Sequence, residues 1–362
     1  MKKDIALALQ GGGSHGAFTW GVLEKFFEEN IFNITGICGT SAGAVNAAVA
    51  ISGYEKGGNK GAIDFLNKFW ERLSQETIFS PIQPTLADKI MSAGNMEFSP
   101  GYNIFTVMSN FLSPYQWNPL GINILRDILM ELIDIKALQK SEMELFACAT
   151  NVKTGQAKVF DLDQITSVDH ILASACLPSL FKAVEIDNEF YWDGGFMGNP
   201  PLYPLIHGTK TSDIVLVQIN PCNVNKVPKD ADEIAHRLNE ISFNSSLIAE
   251  LRLIEFKNKV LAAGYNMNGE LRDIRYHVIL GGRTLEEFDV SSKSNTTWDF
   301  LCLLKQIGRE HAENWIKENY KYVGVKTTAN FSEELGQYQG KRRANVKTGI
   351  KAKTNTKTKA RA

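Results

Sequence analysis

The stretch Ile5-Ala6-Leu7-Ala8-Leu9-Gln10-Gly11-Gly12-Gly13-Ser14-His15-Gly16 is a short apolar run closed by glycines. About one βα unit later, Ile34-Thr35-Gly36-Ile37-Cys38-Gly39-Thr40-Ser41-Ala42-Gly43 repeats the pattern. Continuous apolar runs of this length read as parallel strands buried on both faces. Phe18, Val22 and Phe26 follow the first loop at helical spacing and predict a helix over 16–30. After Ser41 the chain is built almost wholly of small residues as far as Ala50, which predicts a helix lying close against the sheet.

Working outward, further strands are expected over 145–151, 157–160, 189–192, 213–220 and 276–280. Helices are expected over 61–73, 122–135, 168–175, 231–262 and 296–320. Strands alternating with helices define an α/β fold with a mostly parallel sheet covered on both faces. The segment 77–120 breaks the alternation. It carries Pro81, Pro84, Pro100, Pro114 and Pro119 among the aromatics Phe79, Phe98, Tyr102, Phe105, Phe111, Tyr115 and Trp117, with no clean period, and reads as an inserted cap or lid. The 362 residues fit one domain over 1–330, with the motifs in 5–221, a helical part over 231–320, and a polar tail over 332–362 expected to be disordered.

Hydrophobic content of 44% and charged content of 22% are those of an ordinary globular chain. No run approaches a membrane span, and the first apolar run is too short for a signal-peptide core. Cys38, Cys148, Cys176, Cys222 and Cys302 are scattered with no CxxC pair, so reduced thiols in the cytoplasm and no metal site are expected. The net charge of −1 conceals an asymmetry. Lys341 to Arg361 contains nine basic residues and no acid, which leaves about −10 for the rest. The tail and the aromatic segment 77–120 are the candidate contacts for a membrane surface; the tail could equally bind nucleic acid or another protein, with a plain solvated tail as the default and no specific nucleic-acid partner expected, and the segment could instead be a satellite core under a long insertion.

Gly39-Thr40-Ser41-Ala42-Gly43 is a G-x-S-x-G nucleophile elbow, in which glycines two residues either side of the serine let strand and helix pack tightly around a sharp turn. An ordinary serine N-cap gives the same letters. Gly11-x-Gly13-x-x-Gly16 matches the dinucleotide fingerprint, but the second strand ends in Cys38-Gly39-Thr40 rather than in the acid a ribose requires. The loop also lacks the Gly-Lys-Ser/Thr of a phosphate-binding P-loop. What remains is bare backbone N–H at a helix start, suited to an oxyanion beside a serine. None of the six histidines (His15, His170, His207, His236, His277, His311) stands in a motif. His207 is the best triad candidate, and His15 either aids the oxyanion or caps a helix. Asp193-Gly194-Gly195 releases an acid from a short aromatic strand into a turn. Burial beside Tyr191 and Trp192 would raise that carboxyl toward the range of a useful base, while a simple turn remains the plainer reading.

Together these residues resemble the patatin-like phospholipase family. The loop Gly11 to Gly16 is similar to its G-x-G-x-x-G, Gly39 to Gly43 to its G-x-S-x-G, Asp193-Gly194-Gly195 to its D-G-[GA], and Ala173-Ser174-Ala175-Cys176-Leu177-Pro178-Ser179-Leu180-Phe181 to the stretch preceding that Asp. The resemblance implies a three-layer α/β/α sandwich and hydrolysis of lipid acyl esters without metal or other cofactor. It also implies a Ser-Asp dyad with no histidine: Ser41 as nucleophile, Asp193 as base, and an oxyanion hole from the loop Gly11, Gly12, Gly13, Ser14, His15 and Gly16, with Gly12 and Gly13 as the donors. Many members carry Arg or Lys in the glycine loop where this chain has His15, a departure that bears on headgroup preference. A phospholipid met at a membrane surface is the expected substrate. The same machinery serves other esters, thioesters or polyesters, and the same fold could serve a non-catalytic lipid-binding protein. The sequence does not set the oligomeric state.

Overall fold

A computed structural model describes residues 2–329 apart from Phe79, Ala93, Asn225, Lys226, Asp230, 267–270 and Glu287. The basic tail and Phe79 therefore lie outside the described residues. The strands are β1 (Lys3–Leu9), β2 (Phe32–Thr40), β3 (Glu144–Asn151), β4 (Ala157–Phe160), β5 (Val184–Ile186), β6 (Glu189–Asp193), β7 (Asp213–Gln218) and β8 (Arg275–Leu280). They form one sheet in the order β5-β6-β3-β2-β1-β7-β8, with β4 paired to β3 outside that path. The five strands from β3 to β8 run parallel, and β4, β5 and β6 add antiparallel pairs at one side.

Alternate side chains of the parallel strands enter separate cores, as the two-residue period of a strand requires. Ile5, Leu7, Leu9, Ile37, Val215 and Val217 pack on one face against helices Gly16–Glu29, Ala42–Glu76, Ile124–Leu132 and Trp298–Asn319. Ala6, Ala8, Cys38, Ile214 and Leu216 pack on the other against Tyr203–Gly208 and against Leu247, Leu251 and Ile254 of Ala231–Ala262. Helices on both faces of a mixed, mostly parallel sheet make the three layers anticipated above. All five cysteines are free, and among the described residues no helix is long and apolar enough to cross a membrane.

Two local features depart from the sequence expectations. The helices expected at 41–50 and 61–73 form one element, Ala42–Glu76, broken where Gly57 and Gly58 leave helical geometry (φ −156° and 60°). The short edge strand β5 has no periodic signal of its own and exists through its pairing with β6. The segment 77–120 contains the helices Leu86–Met91, Pro100–Phe111 and Pro114–Trp117. Ser99 caps the second of these by accepting the Tyr102 N–H, with proline at the first helical turn. No residue of Pro100–Phe111 is buried.

Candidate active site

Ser41 stands between β2 and the helix that follows it, at φ 54° and ψ −127°. A positive φ on a residue with a side chain is strained, and such strain is held by the surroundings. Here the surroundings are identifiable. The Ser41 N–H is accepted by both the carbonyl oxygen (3.1 Å) and the hydroxyl (3.0 Å) of Ser174. Ser174 Oγ in turn donates to the Cys148 carbonyl, locking its own rotamer. Gly43 lies hard against the Leu9 carbonyl, so a side chain there would push the helix off β1. The first glycine loop meets the elbow directly: a Cβ on Gly11 would lie 2.5 Å from Ser41 Cβ.

The glycine loop divides its N–H groups between structure and open space. Gly11 N–H donates to Asn199 Oδ1 (2.7 Å), His15 N–H to the Gly12 carbonyl (3.2 Å), and Gly16 N–H back into the 3-10 turn Gly13–His15. Ser14 is buried. Gly12 and Gly13 alone in the loop reach solvent, and their N–H groups make no hydrogen bond among the described residues. The His15 ring turns away from the loop. It is buried, bonds Ser292 Oγ through Nε2 (2.7 Å), and packs edge-on against Phe288. A cluster of buried amides braces the loop from behind. Gln10 bonds Asn199, Asn244, Ile219 and Asn220, and Asn220 Nδ2 donates to the Gly11 carbonyl (2.6 Å).

Asp193 ends β6 and is wholly buried. Its backbone N–H donates to the Cys176 carbonyl (2.8 Å), and its Oδ1 accepts the Gly195 N–H (2.7 Å), the turn bond that the D-G-G pattern invites. Oδ2 has no hydrogen bond among the described residues. Burial pushes the carboxyl up to about 6, opposed by the Gly195 N–H and by the Ser41 hydroxyl. That hydroxyl therefore faces the carboxyl closely enough to favour its charge, although no hydrogen bond of ordinary geometry joins the two. Cys148 and Cys176 flank the same carboxyl. Burial first, then the Asp193 charge, pushes both thiols up to about 12, so they stay protonated.

The histidines stand elsewhere. His207 is exposed in the last turn of Tyr203–Gly208, next to Gly208 and Thr209, which pack on Phe146 and on Gly36. His277 is held between Asp213 Oδ1 (3.1 Å) and Thr328 Oγ1 (2.9 Å), His170 bonds Ser167, and His311 bonds the Leu280 carbonyl (2.7 Å). None of these four rings bonds Ser41 or Asp193. The structure thus brings together Ser41, Asp193 and the open Gly12–Gly13 backbone, and leaves the triad candidate His207 apart. Sequence reasoning missed the residues that hold them: Ser174, which lay within a recognised stretch but had no assigned role, and Asn199 and Asn220, whose amides carry no pattern.

The cap is tied to two segments of the body, 291–295 and 182–183. On one side Met96 N–H donates to Ser291 Oγ (2.6 Å), and Asn295 Nδ2 to the Gly94 carbonyl (2.8 Å). On the other, Ala183 N–H donates to Tyr115 Oη (3.3 Å), and Lys182 Nζ to the Pro119 carbonyl (2.6 Å).

Residues 7–206 match the family model for patatin-like phospholipase, more than half of the chain, and the chain belongs to that family. Among curated proteins it is similar to an uncharacterized NTE family protein of Mycobacterium tuberculosis and to one of Mycobacterium bovis, each 23% identical over 216 residues. Those matches cover 60% of this chain and 49% of the relative, so the chain spans about half the length of the curated relatives it matches. Among solved structures, VipD from Legionella pneumophila aligns at 13% identity with a TM-score of 0.42, covering 92% of this chain and 73% of that one. The type III effector ExoU aligns at 13% identity with a TM-score of 0.34, covering 88% and 53%.

Proposed function

We propose that the chain is a serine lipid acyl hydrolase, of phospholipase A or lysophospholipase type, acting through a Ser41–Asp193 dyad. The observation that carries this is the meeting of three features at one point: a strained elbow serine, a buried carboxyl with a free oxygen and a pKa of about 6, and two open N–H groups on the adjoining loop. Ser41 Oγ attacks the ester carbonyl carbon while its proton passes to Asp193 Oδ2. The tetrahedral oxygen accepts hydrogen bonds from Gly12 and Gly13, each such donor being worth about 3 kcal/mol of barrier. Asp193 returns the proton to the departing alcohol oxygen, leaving an acyl ester on Ser41. Water attacks that ester while one of its protons passes to Asp193, and Asp193 then returns that proton to Ser41 Oγ as the acyl bond breaks and the fatty acid leaves. A carboxyl near pH 6 is ionised at neutral pH and still basic enough for this exchange.

A lipid substrate is supported by the cap. From Phe98 to Leu125 there is no Asp, Glu, Lys or Arg. Ile104, Phe111, Tyr115, Leu120 and Ile122 are more than half exposed, with Phe111 at 81% and Leu120 at 84%. An exposed apolar surface without charge, tied to the body at 182–183 and at 291–295, suits the hydrocarbon of a bilayer or micelle. The deciding test is fatty-acid release from phosphatidylcholine mixed micelles. Ser41→Ala should lose on the order of 10³-fold or more in kcat while keeping its melting temperature, and His207→Ala should retain activity. Full activity in Ser41→Ala, or a loss in His207→Ala equal to it, overturns the dyad.

A further inference from the structure

One turn, supplied from far along the chain, touches both the glycine loop and the cap. It is the 3-10 turn Val290–Ser294, flanked by Asp289 and Asn295. Asp289 Oδ1 accepts the N–H groups of Ser291 (2.8 Å) and Ser292 (3.3 Å) and the Ser291 hydroxyl, which fixes the turn. Ser291, Ser292 and Asn295 are buried.

The two serines of the turn have different partners. Ser292 Oγ donates to the Asp289 carbonyl and so accepts the His15 Nε2–H (2.7 Å). The next residue, Lys293, sets its carbonyl oxygen against Gly13, where φ is 59° and a Cβ would lie 2.5 Å from that oxygen. Ser291 Oγ accepts the Met96 N–H of the cap (2.6 Å). Two further bonds reach the cap: Asp289 N–H donates to Asn95 Oδ1 (2.9 Å), and Asn295 Nδ2 to the Gly94 carbonyl (2.8 Å). An apolar route runs beside the polar one. The His15 ring packs against Phe288 and Phe300, with centroids 6.1 and 6.4 Å away, those two rings meet edge-on at 5.2 Å, and Gly94 lies against Phe300. Cap residues 94–96 and loop residues 13–15 thus rest on one buried support.

We propose that the turn 289–295 makes the position of the oxyanion donors Gly12 and Gly13 depend on the attachment of the cap, with Ser291 as a positioning residue on the cap side. This rests on the hydrolase reading, which gives Gly12 and Gly13 their donor role. Coupling between separate parts of a chain is carried by contiguous packed and hydrogen-bonded groups, and here only the turn stands between cap and loop. An oxyanion donor acts at hydrogen-bond distance from the developing charge, and a displacement of about 1 Å can cost about 100-fold in rate. Loosening the cap from the turn should therefore lower kcat even on an ester too small to need the cap.

The experiment compares wild type with Asn95→Ala, Ser291→Ala and Ser291→Thr. First, kcat and KM are measured on p-nitrophenyl butyrate, well below each melting transition. Both alanine variants should lose about tenfold or more in kcat with KM within about twofold of wild type, and Ser291→Thr, which keeps the hydroxyl, should restore kcat. A turn that merely held the fold would lower the melting temperature and leave kcat of the folded protein unchanged. Second, amide hydrogen exchange gives a readout without turnover. The bonded N–H groups of Gly11, His15 and Gly16 are followed on a peptide covering 10–16. They should exchange about tenfold faster or more in both alanine variants, while β7 keeps its wild-type protection. That result supports the proposal even if wild type hydrolyses no ester, in which case only the hydrolase reading fails. Unchanged exchange over 10–16, an equal rise in β7, or activity lost through KM with kcat intact overturns the coupling and leaves the turn as plain support for the cap.

Discussion

Replacing Asp193 with asparagine separates what the buried carboxyl does for chemistry from what it does to stability. Asp193 is wholly buried, and burial lifts its pKa from 3.8 to about 6. A shift of about two units corresponds to about 3 kcal/mol. The sign follows from proton linkage. Between these two pKa values the folded chain holds a proton that the unfolded chain has released. Wild-type stability therefore falls as pH rises through that window, and above it the ionised carboxylate leaves the fold about 3 kcal/mol less stable than at low pH. Asp193→Asn does not titrate. The variant places an NH₂ where Oδ2 finds no partner, a pH-independent penalty of about 1–3 kcal/mol. Absolute stabilities are thus ambiguous, but their pH dependence is not.

The measurement is the melting temperature of both proteins from about pH 4 to about pH 8. At about 2 °C per kcal/mol for a chain of this size, the variant should gain about 6 °C on wild type across that range. Activity should move the other way. Wild-type kcat/KM should fall about tenfold per pH unit below the Asp193 pKa as the base is protonated, and the variant should be nearly inactive throughout. A melting-temperature gap independent of pH would show that desolvation does not govern this carboxyl. Wild-type activity that stays flat down to about pH 5 would remove Asp193 as the base.

Ser174→Ala removes the hydroxyl that accepts the Ser41 N–H and strands the Cys148 carbonyl it now serves. A loss of about 1–3 kcal/mol in stability is expected, with kcat falling and KM little changed, because the elbow loosens while the substrate surface is untouched; denaturant melts and steady-state kinetics read both. In the cap, the double variant Ile104→Asp, Phe111→Asp should weaken binding to phosphatidylcholine vesicles about tenfold or more, each exposed side chain contributing about 1.5–3 kcal/mol on burial. Hydrolysis of a water-soluble short-chain ester should change far less, and vesicle sedimentation that finds unaltered binding would mean that this face is not the lipid contact.

The fold was legible wherever burial on two faces left a continuous apolar run. β1, β2 and β7 could be read directly because Ile5 to Leu9, Ile34 to Cys38 and Ile214 to Val217 must satisfy a core above and a core below the sheet. β5 escaped because three residues cannot display a period and its partner β6 alone makes it a strand. The break at Gly57–Gly58 was visible as glycines but not as the joint of one long helix, since only packing decides whether two helices continue each other. The cap was visible as composition. Its helices were not, because many of their apolar residues, Ile104, Val107, Met108 and Phe111 among them, are exposed and so mark no buried stripe.

The same contrast explains the site. Ser41, Asp193 and the glycines were legible because each is demanded by backbone geometry: a strained turn, a tight side-chain cap, a close approach of strand to helix. The residues that hold them are demanded only by tertiary position. Ser174 and Cys176 lie two residues apart in one buried segment, and one accepts the Ser41 N–H while the other accepts the Asp193 N–H. A triad fixes its base through a third side chain, whereas the proposed dyad has none. Its spacing must then come from the backbone, and the segment from Ser174 to Cys176 supplies it by tying both partners to one rigid element. Displacing that segment would move nucleophile and base together and preserve their spacing, whereas weakening one of its two bonds changes the spacing itself. The expected outcome is that Ser174→Ala lowers kcat although Ser174 touches neither Asp193 nor the proposed oxyanion donors.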